Sequence, residues 1–339
     1  MHQHLMLLSS VLIATGALLP DEHPPPTCAP GAQLLTMERR TFEGAPPTAP
    51  PEDLLYAYTR CGAIPLSDFY VDDTRGGKGT RYTHGSKDIE ARIQASQREL
   101  QRASLAGLQA SRAHLVGALK LPLVRQRLQA NASVVVFGST SPTVEALLLA
   151  AGAAHVFTVE YNELVYKHPQ LTTATVREVE EAWRGGSGGG GAANTSSPPR
   201  IPPPGTFDLA CSISSFDHDG LGRYGDPLAP DGDLMAMHAM AQYLKPGGLA
   251  LVSVPVGPDR VWWNLMRTYG PVRLPLLLEG WQVLDRVGWR GGEELLAPAP
   301  APAGQQQQQQ QPRSPGVSHE PVFVLRRQEQ GKEGLRPEL

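Results

Sequence analysis

Four apolar segments between residues 133 and 256 constrain the fold of this 339-residue chain more than any other feature. Continuous apolar and β-branched runs of this kind predict strands that are buried on both faces. Two segments with helical spacing, at residues 143–153 and 234–244, separate them. Strands that alternate with helices predict an α/β domain with a mostly parallel sheet. The four segments are SVVVFGS (133–139), HVFTVEYN (155–162), FDLACSISS (207–215) and GLALVSVPV (248–256).

Segments on either side extend this predicted domain to residues 133–290. WQVLDRVGW (281–289) and PVFVLRR (321–327) predict a late antiparallel pair of strands, the second of them within a terminal strand and tail at residues 320–339. Residues 88–119 contain good helix formers and no proline, which predicts one long helix or two shorter ones. These helices would belong to an N-terminal helical cover over residues 53–132.

Proline, glycine and glutamine runs predict segments outside the core. The chain contains 35 glycines and 32 prolines. Residues 21–52 are rich in proline and alanine and predict a linker. Residues 184–205 combine a flexible glycine run with stiff polyproline, and residues 291–319 contain seven consecutive glutamines. We interpret the last two as disordered surface inserts, because loop entropy grows slowly with loop length.

The first 20 residues predict a signal peptide or a short signal anchor. Their apolar run, residues 5–19, is shorter than the ~20 residues that a membrane span requires. The leader favours the secretory pathway, as a lumenal or secreted protein, over an intracellular location, and an anchor would tether the chain to a membrane. Cys28 and Cys61 could pair in an oxidising lumen, whereas Cys211 lies in a predicted strand.

The overall charge argues against a nucleic-acid partner. The chain has 30 lysines and arginines against 33 aspartates and glutamates, so it lacks the strongly basic balance that such partners require. A small-molecule or glycan substrate is the remaining expectation.

Two strand ends carry candidate cofactor-binding residues. Gly138 permits a tight turn after the first strand, at the place where open α/β sheets bind ligands. Glu160 ends the second strand about 20 residues later, where a carboxylate can accept both hydroxyls of an adenosine ribose. The alternative for Glu160 is a strand-end residue that faces water. The full set of candidates is Gly138, Ser139, Thr140, Glu160, Tyr161, Asn162 and Ser214.

Four stretches carry a resemblance to known families. YLKPGGLALVSVPVG resembles the entry to the fifth strand of class I S-adenosylmethionine-dependent methyltransferases. Together with EYN, SSFDHDGLGRYGDPLAPDGD and PVGPDRVWWNLMRTYGPVRLP, it resembles an uncharacterised methyltransferase-like family, a domain of unknown function first noted in nematodes. The resemblance runs from about Val134 to Arg273. It implies a Rossmann-like methyltransferase sheet and S-adenosyl-L-methionine as the cofactor.

Residues 214–233 follow the third strand and concentrate five aspartates, a histidine and an arginine. The candidate catalytic residues are Asp217, His218, Asp219 and Arg223. His218 or Asp217 would act as a general base, Asp219 would orient the imidazole, and Arg223 would hold an anionic substrate. Asp231 and Asp233 are explained by a turn and a helix cap. We therefore expect the first half of this loop to be site and the second half to be scaffold.

Further polar residues on the same rim are candidates for substrate binding. They either contact the substrate or neutralise the aspartates. Asn264 and Arg267 are three residues apart and would share a helix face. The full set is Tyr224, Asp259, Asn264, Arg267 and Arg273.

These features together predict an S-adenosylmethionine-dependent methyltransferase with an O-acceptor such as a sugar or a carboxylate. One alternative is a non-catalytic binding protein with the same fold. Another is a nucleotide-sugar enzyme that uses Mg²⁺ or Mn²⁺ at the aspartates. The segment that begins at Asp217 does not fit a calcium loop, because Leu221 and Leu228 occupy ligand positions, and no metal ligand is assigned.

Overall fold

A computed structural model of the protein describes residues 38–129, 131–184, 201–292 and 319–328. In these ranges the helices are α1 (Glu52–Tyr58), α2 (Ser86–Gln101), α3 (Ala110–Lys120), α4 (Pro122–Leu128), α5 (Thr143–Ala150), α6 (Val176–Arg184), α7 (Gly232–Tyr243) and α8 (Arg273–Leu277), with a 3₁₀ turn at Phe216–His218. The strands are β1 (Leu66–Phe69), β2 (Arg81–His84), β3 (Ser133–Phe137), β4 (His155–Glu160), β5 (Glu163–Tyr166), β6 (Leu171–Thr175), β7 (Phe207–Ile213), β8 (Leu244–Ser253), β9 (Arg260–Asn264), β10 (Met266–Thr268), β11 (Trp281–Val287) and β12 (Val322–Arg327).

A seven-stranded sheet with the order β11-β12-β8-β7-β3-β4-β6 forms the centre of the fold. The five strands from β8 to β6 pair in parallel. Taken in chain order, they have the spatial order 3-2-1-4-5 of a doubly wound sheet. β12 pairs antiparallel with β8, and β11 pairs antiparallel with β12. The predicted fold class, including the late antiparallel pair, is confirmed.

Apolar residues cover both faces of this sheet. Alternate side chains of a strand point to opposite faces, so a strand covered on both sides must be apolar throughout. Val134 and Val136 therefore pack with α2 to α5 on one face, while Val135 and Phe137 pack with α6, α7 and α8 on the other. The continuous apolar run of β3 is explained by this position.

Several elements were not predicted from sequence. β6 is the threonine-rich segment LTTAT, and α6 follows it directly. The predicted cover divides into α2 and α3, but the same stretch also contains strands β1 and β2. Asn264 and Arg267 were expected on one helix face, whereas they lie on the antiparallel strands β9 and β10.

Part of the predicted N-terminal linker is packed against the domain. The backbones of Arg40 and Leu228 exchange two hydrogen bonds, of 2.8 and 2.9 Å. The Trp263 indole N–H donates to the carbonyl of Pro47. Residues 38–52 therefore contact both the loop between β7 and α7 and strand β9.

Some predictions concern residues outside the described ranges. These are the leader at residues 1–20, Cys28 of the candidate disulfide, and most of both predicted inserts. In the described ranges, no helix combines the length and the apolar character needed to cross a membrane. Cys211 is a free thiol buried in β7.

Candidate functional site

A cavity of about 390 Å³ opens at the carboxyl ends of β3, β4 and β7. β3 and β7 are adjacent in the sheet but lie first and fourth among the parallel strands along the chain. The chain thus reverses its direction of strand addition between them, which is where doubly wound sheets bind ligands. Gly138, Glu160 and Ser214 come from the three strand ends and line this one cavity.

The turn after β3 requires glycine at position 138. Gly138 has a φ of +66°, a left-handed conformation that disfavours residues with a Cβ atom. A Cβ at this position would lie 1.7 Å from Ser215 Oγ and 2.6 Å from Ser215 Cβ. The backbone of β3 therefore lies directly against the segment that follows β7, and Gly138 and Ser215 form the floor of the cavity.

Glu160 is a fixed carboxylate in the cavity wall. Glu160 is 6% exposed, and burial raises its pKa. Oε1 accepts hydrogen bonds of 3.3 Å from the backbone N–H and the side-chain amide of Asn162. Oε2 accepts no hydrogen bond from the described residues. Asn162 does not line the cavity but positions Glu160, which leaves one carboxylate oxygen available for a ligand.

The turn that begins at Gly138 rests on a buried carboxylate, Glu145 of α5. Glu145 accepts hydrogen bonds from the hydroxyls of Ser139 (3.1 Å), Thr158 (2.9 Å) and Tyr166 (3.2 Å). Burial raises the pKa of Glu145. Ser139 is thus directed into this network, whereas Thr140 lines the cavity. Glu145 was not predicted as a site residue, although an acidic residue within the apolar helix TVEALLLA was a usable signal.

Helices α6 and α7 supply apolar and aromatic walls. The Trp183 and Tyr243 rings lie 4.4 Å apart between centroids, and Phe137 meets Tyr243 at 4.9 Å. Val176 and Val179 of α6 line the same side. Such a wall suits the face of a planar heterocycle. The residues from α6 were missed because that helix was not predicted.

His218 lines the cavity but both of its ring nitrogens face protein groups. Nδ1 lies 2.6 Å from the carbonyl oxygen of Leu265, which can only accept, so Nδ1 carries a hydrogen. Nε2 lies 3.4 Å from Oδ2 of Asp217. Asp217 is fully buried, burial raises its pKa, and its oxygens make no hydrogen bond within the described residues. Leu265 and Asp217, rather than Asp219, therefore orient the imidazole.

Asp219 is the second carboxylate in the cavity wall. Its backbone carbonyl accepts a 2.6 Å hydrogen bond from Arg267. Its carboxylate takes part in no hydrogen bond or salt bridge among the described residues. Burial, followed by the carboxylates of Asp226 and Glu160, raises the pKa of Asp219 well above its ordinary value. A ligand that brings a proton donor or a positive charge would stabilise the ionised form of this carboxylate.

Arg223 is directed away from the cavity. Its Nε donates a 2.7 Å hydrogen bond to Oδ2 of Asp73, and its guanidinium lies 4.8 Å from the centre of the Tyr224 ring. Tyr224 itself lines the cavity. The predicted role of Arg223 as a clamp for an anionic substrate has no geometric support in this arrangement.

Arg267 and Arg273 neutralise buried aspartates of the loop. Arg273 forms a salt bridge with Asp233, and Tyr269 donates to the same carboxylate at 2.9 Å. Although burial acts to raise it, Arg267 and Arg273 hold the pKa of Asp233 well below its ordinary value. The predicted helix cap at Asp233 is therefore replaced by an internal ion pair. Of the two predicted roles for the arginines, the geometry supports neutralisation, because neither lines the cavity.

Asp259 and Asn264 also serve the scaffold. Asp259 accepts hydrogen bonds from the backbone N–H groups of Gly270, Val272 and Arg273, at the start of α8. Asn264 Oδ1 accepts from the N–H of Val71 at 2.8 Å. Among the predicted substrate-binding residues, Tyr224 alone lines the cavity within the described chain.

The described residues contain no group of three or more His, Cys, Asp or Glu side chains that could hold a metal ion.

Comparison with protein families adds one match. The model of a family described as "Caenorhabditis protein of unknown function, DUF268" matches residues 204–309. The predicted family is confirmed over this stretch. The matched stretch contains β7, the aspartate-rich segment at residues 214–233, α7 and β8, and therefore one side of the cavity. No curated protein matches the chain.

Methyltransferases of low sequence identity are among the solved structures that resemble the chain, together with a [4+2]-cyclase and a protein described as a putative hemolysin. One is 1,6-didemethyltoxoflavin-N1-methyltransferase from Burkholderia thailandensis, with 1,6-didemethyltoxoflavin and S-adenosylhomocysteine bound. It has 16% identity and a TM-score of 0.39, and the match covers 74% of this chain and 94% of that one. Another is an S-adenosylmethionine-dependent methyltransferase from Mesorhizobium loti, with 14% identity, a TM-score of 0.32, and coverage of 63% and 100%. The fold assignment above depends on the strand order and not on these scores.

Proposed function

We propose that this chain binds S-adenosylmethionine in the cavity and transfers its methyl group to an acceptor. The observation that carries the proposal is the convergence of Gly138, Glu160 and Ser214 on one cavity at the switch point of a doubly wound sheet. These residues come from three different strands, and the family match covers only one of the three.

The residues present fit this cofactor. Glu160 has a free carboxylate oxygen for the ribose hydroxyls, and Asn162 holds the other oxygen in place. The absence of a side chain at Gly138 leaves room for a ligand to approach the backbone, and the aromatic wall near Trp183 suits the adenine ring. When bound, the cofactor would supply an electrophilic methyl group. The task of the protein would then be mainly to align donor and acceptor.

The acceptor expected from sequence is a sugar hydroxyl or a carboxylate. A carboxylate acceptor lacks a counter-charge, because Arg223, Arg267 and Arg273 all have other partners. A hydroxyl acceptor is compatible with the charges of the wall but requires a base. Nδ1 of His218 is held by Leu265, while Nε2 makes no hydrogen bond within the described residues and lies 3.4 Å from Asp217, so a hydroxyl would have to reach Nε2 beside that buried carboxylate for His218 to serve as the base.

Titration calorimetry with S-adenosylmethionine and S-adenosylhomocysteine tests the proposal. We expect both to bind the wild-type protein. Loss of a charge-assisted hydrogen bond costs about 1.5–3 kcal/mol, so Glu160→Gln should weaken binding about 10- to 150-fold. Glu163→Gln is the matched control, because Glu163 lies three residues away in an exposed salt bridge with Arg81. The proposal fails if neither ligand binds the wild type, or if the two variants behave alike.

A non-catalytic binding protein is the second candidate, and the position of His218 Nε2 against the buried carboxylate of Asp217 favours it. It predicts that S-adenosylmethionine binds and that Glu160→Gln weakens binding, while no added acceptor releases S-adenosylhomocysteine. Methyl transfer to any acceptor would exclude it. We further propose a secretory location, which rests on the leader sequence alone.

A further inference from the structure

The described lining of the cavity contains more acidic than basic side chains. Besides His218, its described lining contains four charged side chains, Arg39, Glu160, Glu180 and Asp219. Arg39 and Glu180 form a 2.8 Å salt bridge with each other. Glu160 and Asp219 remain, and neither forms a salt bridge within the described residues. A ligand that enters this cavity therefore meets two carboxylates without a paired cation.

The nearby arginines do not supply the missing positive charge. Arg223 is paired with Asp73. Arg267 directs its guanidinium to the backbone carbonyls of Asp219, Ala229 and Pro230. Arg273 is paired with Asp233. All three are held by the scaffold, so an anionic ligand would have to be buried beside carboxylates without a compensating cation, which is costly.

His218 does not change this balance. Its Nε2 faces the buried carboxylate of Asp217 at 3.4 Å. Any positive charge on the imidazole lies directly against this carboxylate and is offset by it. The pair therefore contributes no net positive charge to the wall unless both groups are protonated.

We propose that the methyl acceptor is an amine, and that its ammonium form binds to the carboxylate of Asp219. This inference rests on the proposed function and names its substrate class. S-adenosylmethionine carries one net positive charge, which offsets one of the two unpaired carboxylates. An ammonium group offsets the other and supplies donors for the oxygens of Asp219, which have no other partner in the described chain.

The carboxylate of Asp219 also takes part in the proposed methyl transfer, as a proton acceptor. Asp219 accepts one proton from the ammonium group, which leaves a neutral amine with a free electron pair. The nitrogen then forms a bond to the methyl carbon while the carbon–sulfur bond breaks. The electron pair of that bond stays on sulfur, which becomes a neutral thioether, and the product nitrogen carries the positive charge. The raised pKa of Asp219 makes it a better proton acceptor than an exposed aspartate.

Matched ligand sets test this proposal. One set is phenethylamine, 2-phenylethanol and phenylacetate, and the other is glucosamine, glucose and glucuronate. Each ligand is titrated at neutral pH into full-length protein saturated with S-adenosylhomocysteine, and release of S-adenosylhomocysteine from S-adenosylmethionine is followed separately. We expect the amine to bind at least about tenfold more tightly than its alcohol and its carboxylate in at least one set.

Asp219→Asn should remove this preference, because it keeps the shape of the side chain but not the charge. Asp68→Asn is the control, since Asp68 is an exposed residue of β1 outside the cavity. The far-ultraviolet circular dichroism spectra of both variants should match that of wild type, which shows that they are folded. The inference is overturned if the alcohols or carboxylates bind as tightly as the amines, or more tightly, in both sets. It is also overturned if the preference for the amine survives in Asp219→Asn. Absence of amine binding in both sets overturns it as well. If S-adenosylhomocysteine itself does not bind the wild type, the proposed function fails instead.

Discussion

Replacement of Gly138 by alanine tests whether the floor of the cavity is built as described. An alanine at a φ of +66° costs about 1–2 kcal/mol. The added Cβ would also lie 1.7 Å from Ser215 Oγ, and such overpacking costs a further 1–3 kcal/mol, roughly. We therefore expect Gly138→Ala to lower the free energy of unfolding by about 2–5 kcal/mol and to abolish S-adenosylhomocysteine binding.

A double-mutant cycle separates these two contributions. Ser215→Gly removes both of the atoms that the new Cβ would meet within 3 Å. It should therefore recover the overpacking part of the loss but not the backbone part. Gly280→Ala is the control, because Gly280 has a φ of +79° and no heavy atom within 4 Å of the added Cβ. Urea unfolding measures all four variants. A Gly138→Ala loss no larger than that of Gly280→Ala, or no recovery by Ser215→Gly, would refute the contact.

The other predictions concern pH, a buried ion pair and glycosylation. Because Glu145 has a folded-state pKa raised above 4.5, the native state holds its proton longer, and the stability of wild type relative to Glu145→Gln should fall as the pH rises above about 4.5. Urea unfolding between pH 4 and 8 measures this fall, and a difference that does not vary with pH would contradict it. Asp233→Ala removes the Asp233 ion pair of buried Arg273 and leaves it the 3.3 Å contact with Asp231, so it should cost up to about 3–5 kcal/mol, whereas Glu163→Ala in an exposed pair should cost less than about 1 kcal/mol. Asn131-Ala132-Ser133 is an N-glycosylation sequon whose asparagine is exposed; if the chain enters the secretory pathway, Asn131 should carry a glycan, seen as a gel shift that glycosidase treatment or Asn131→Gln removes.

The central sheet was predictable because burial on both faces requires apolar residues, and an apolar run is visible within one continuous segment of the sequence. A strand covered on both faces is apolar through most of its buried length, and β3, β4, β7 and β8 each contain such a run. β6 was missed because its five residues include three threonines, and its neighbour α6 was missed with it. β6 lies at the edge of the sheet, where the demand for apolar residues is weaker.

The candidate site was predictable only where position along the chain decides position in space. Gly138, Glu160 and Ser214 each end a strand, and parallel strands bring their carboxyl ends to one edge. The arginines that follow β8 offer no such rule. Whether Arg267 binds a substrate or a buried backbone carbonyl depends on the path of the loop before α7, and a single sequence does not show that path. A single sequence likewise does not show the long-range salt bridge between Arg39 and Glu180.

The central claim is that Glu160 binds the ribose of S-adenosylmethionine within the cavity. A crystal structure of the protein with S-adenosylhomocysteine tests this claim most directly. We expect the ribose hydroxyls to lie within about 2.5–3.2 Å of the Glu160 carboxylate. We expect the adenine ring to lie against the wall formed by Trp183 and Tyr243. A ligand bound elsewhere, or a Glu160 carboxylate whose sole partner remains Asn162 at saturating ligand, would contradict it.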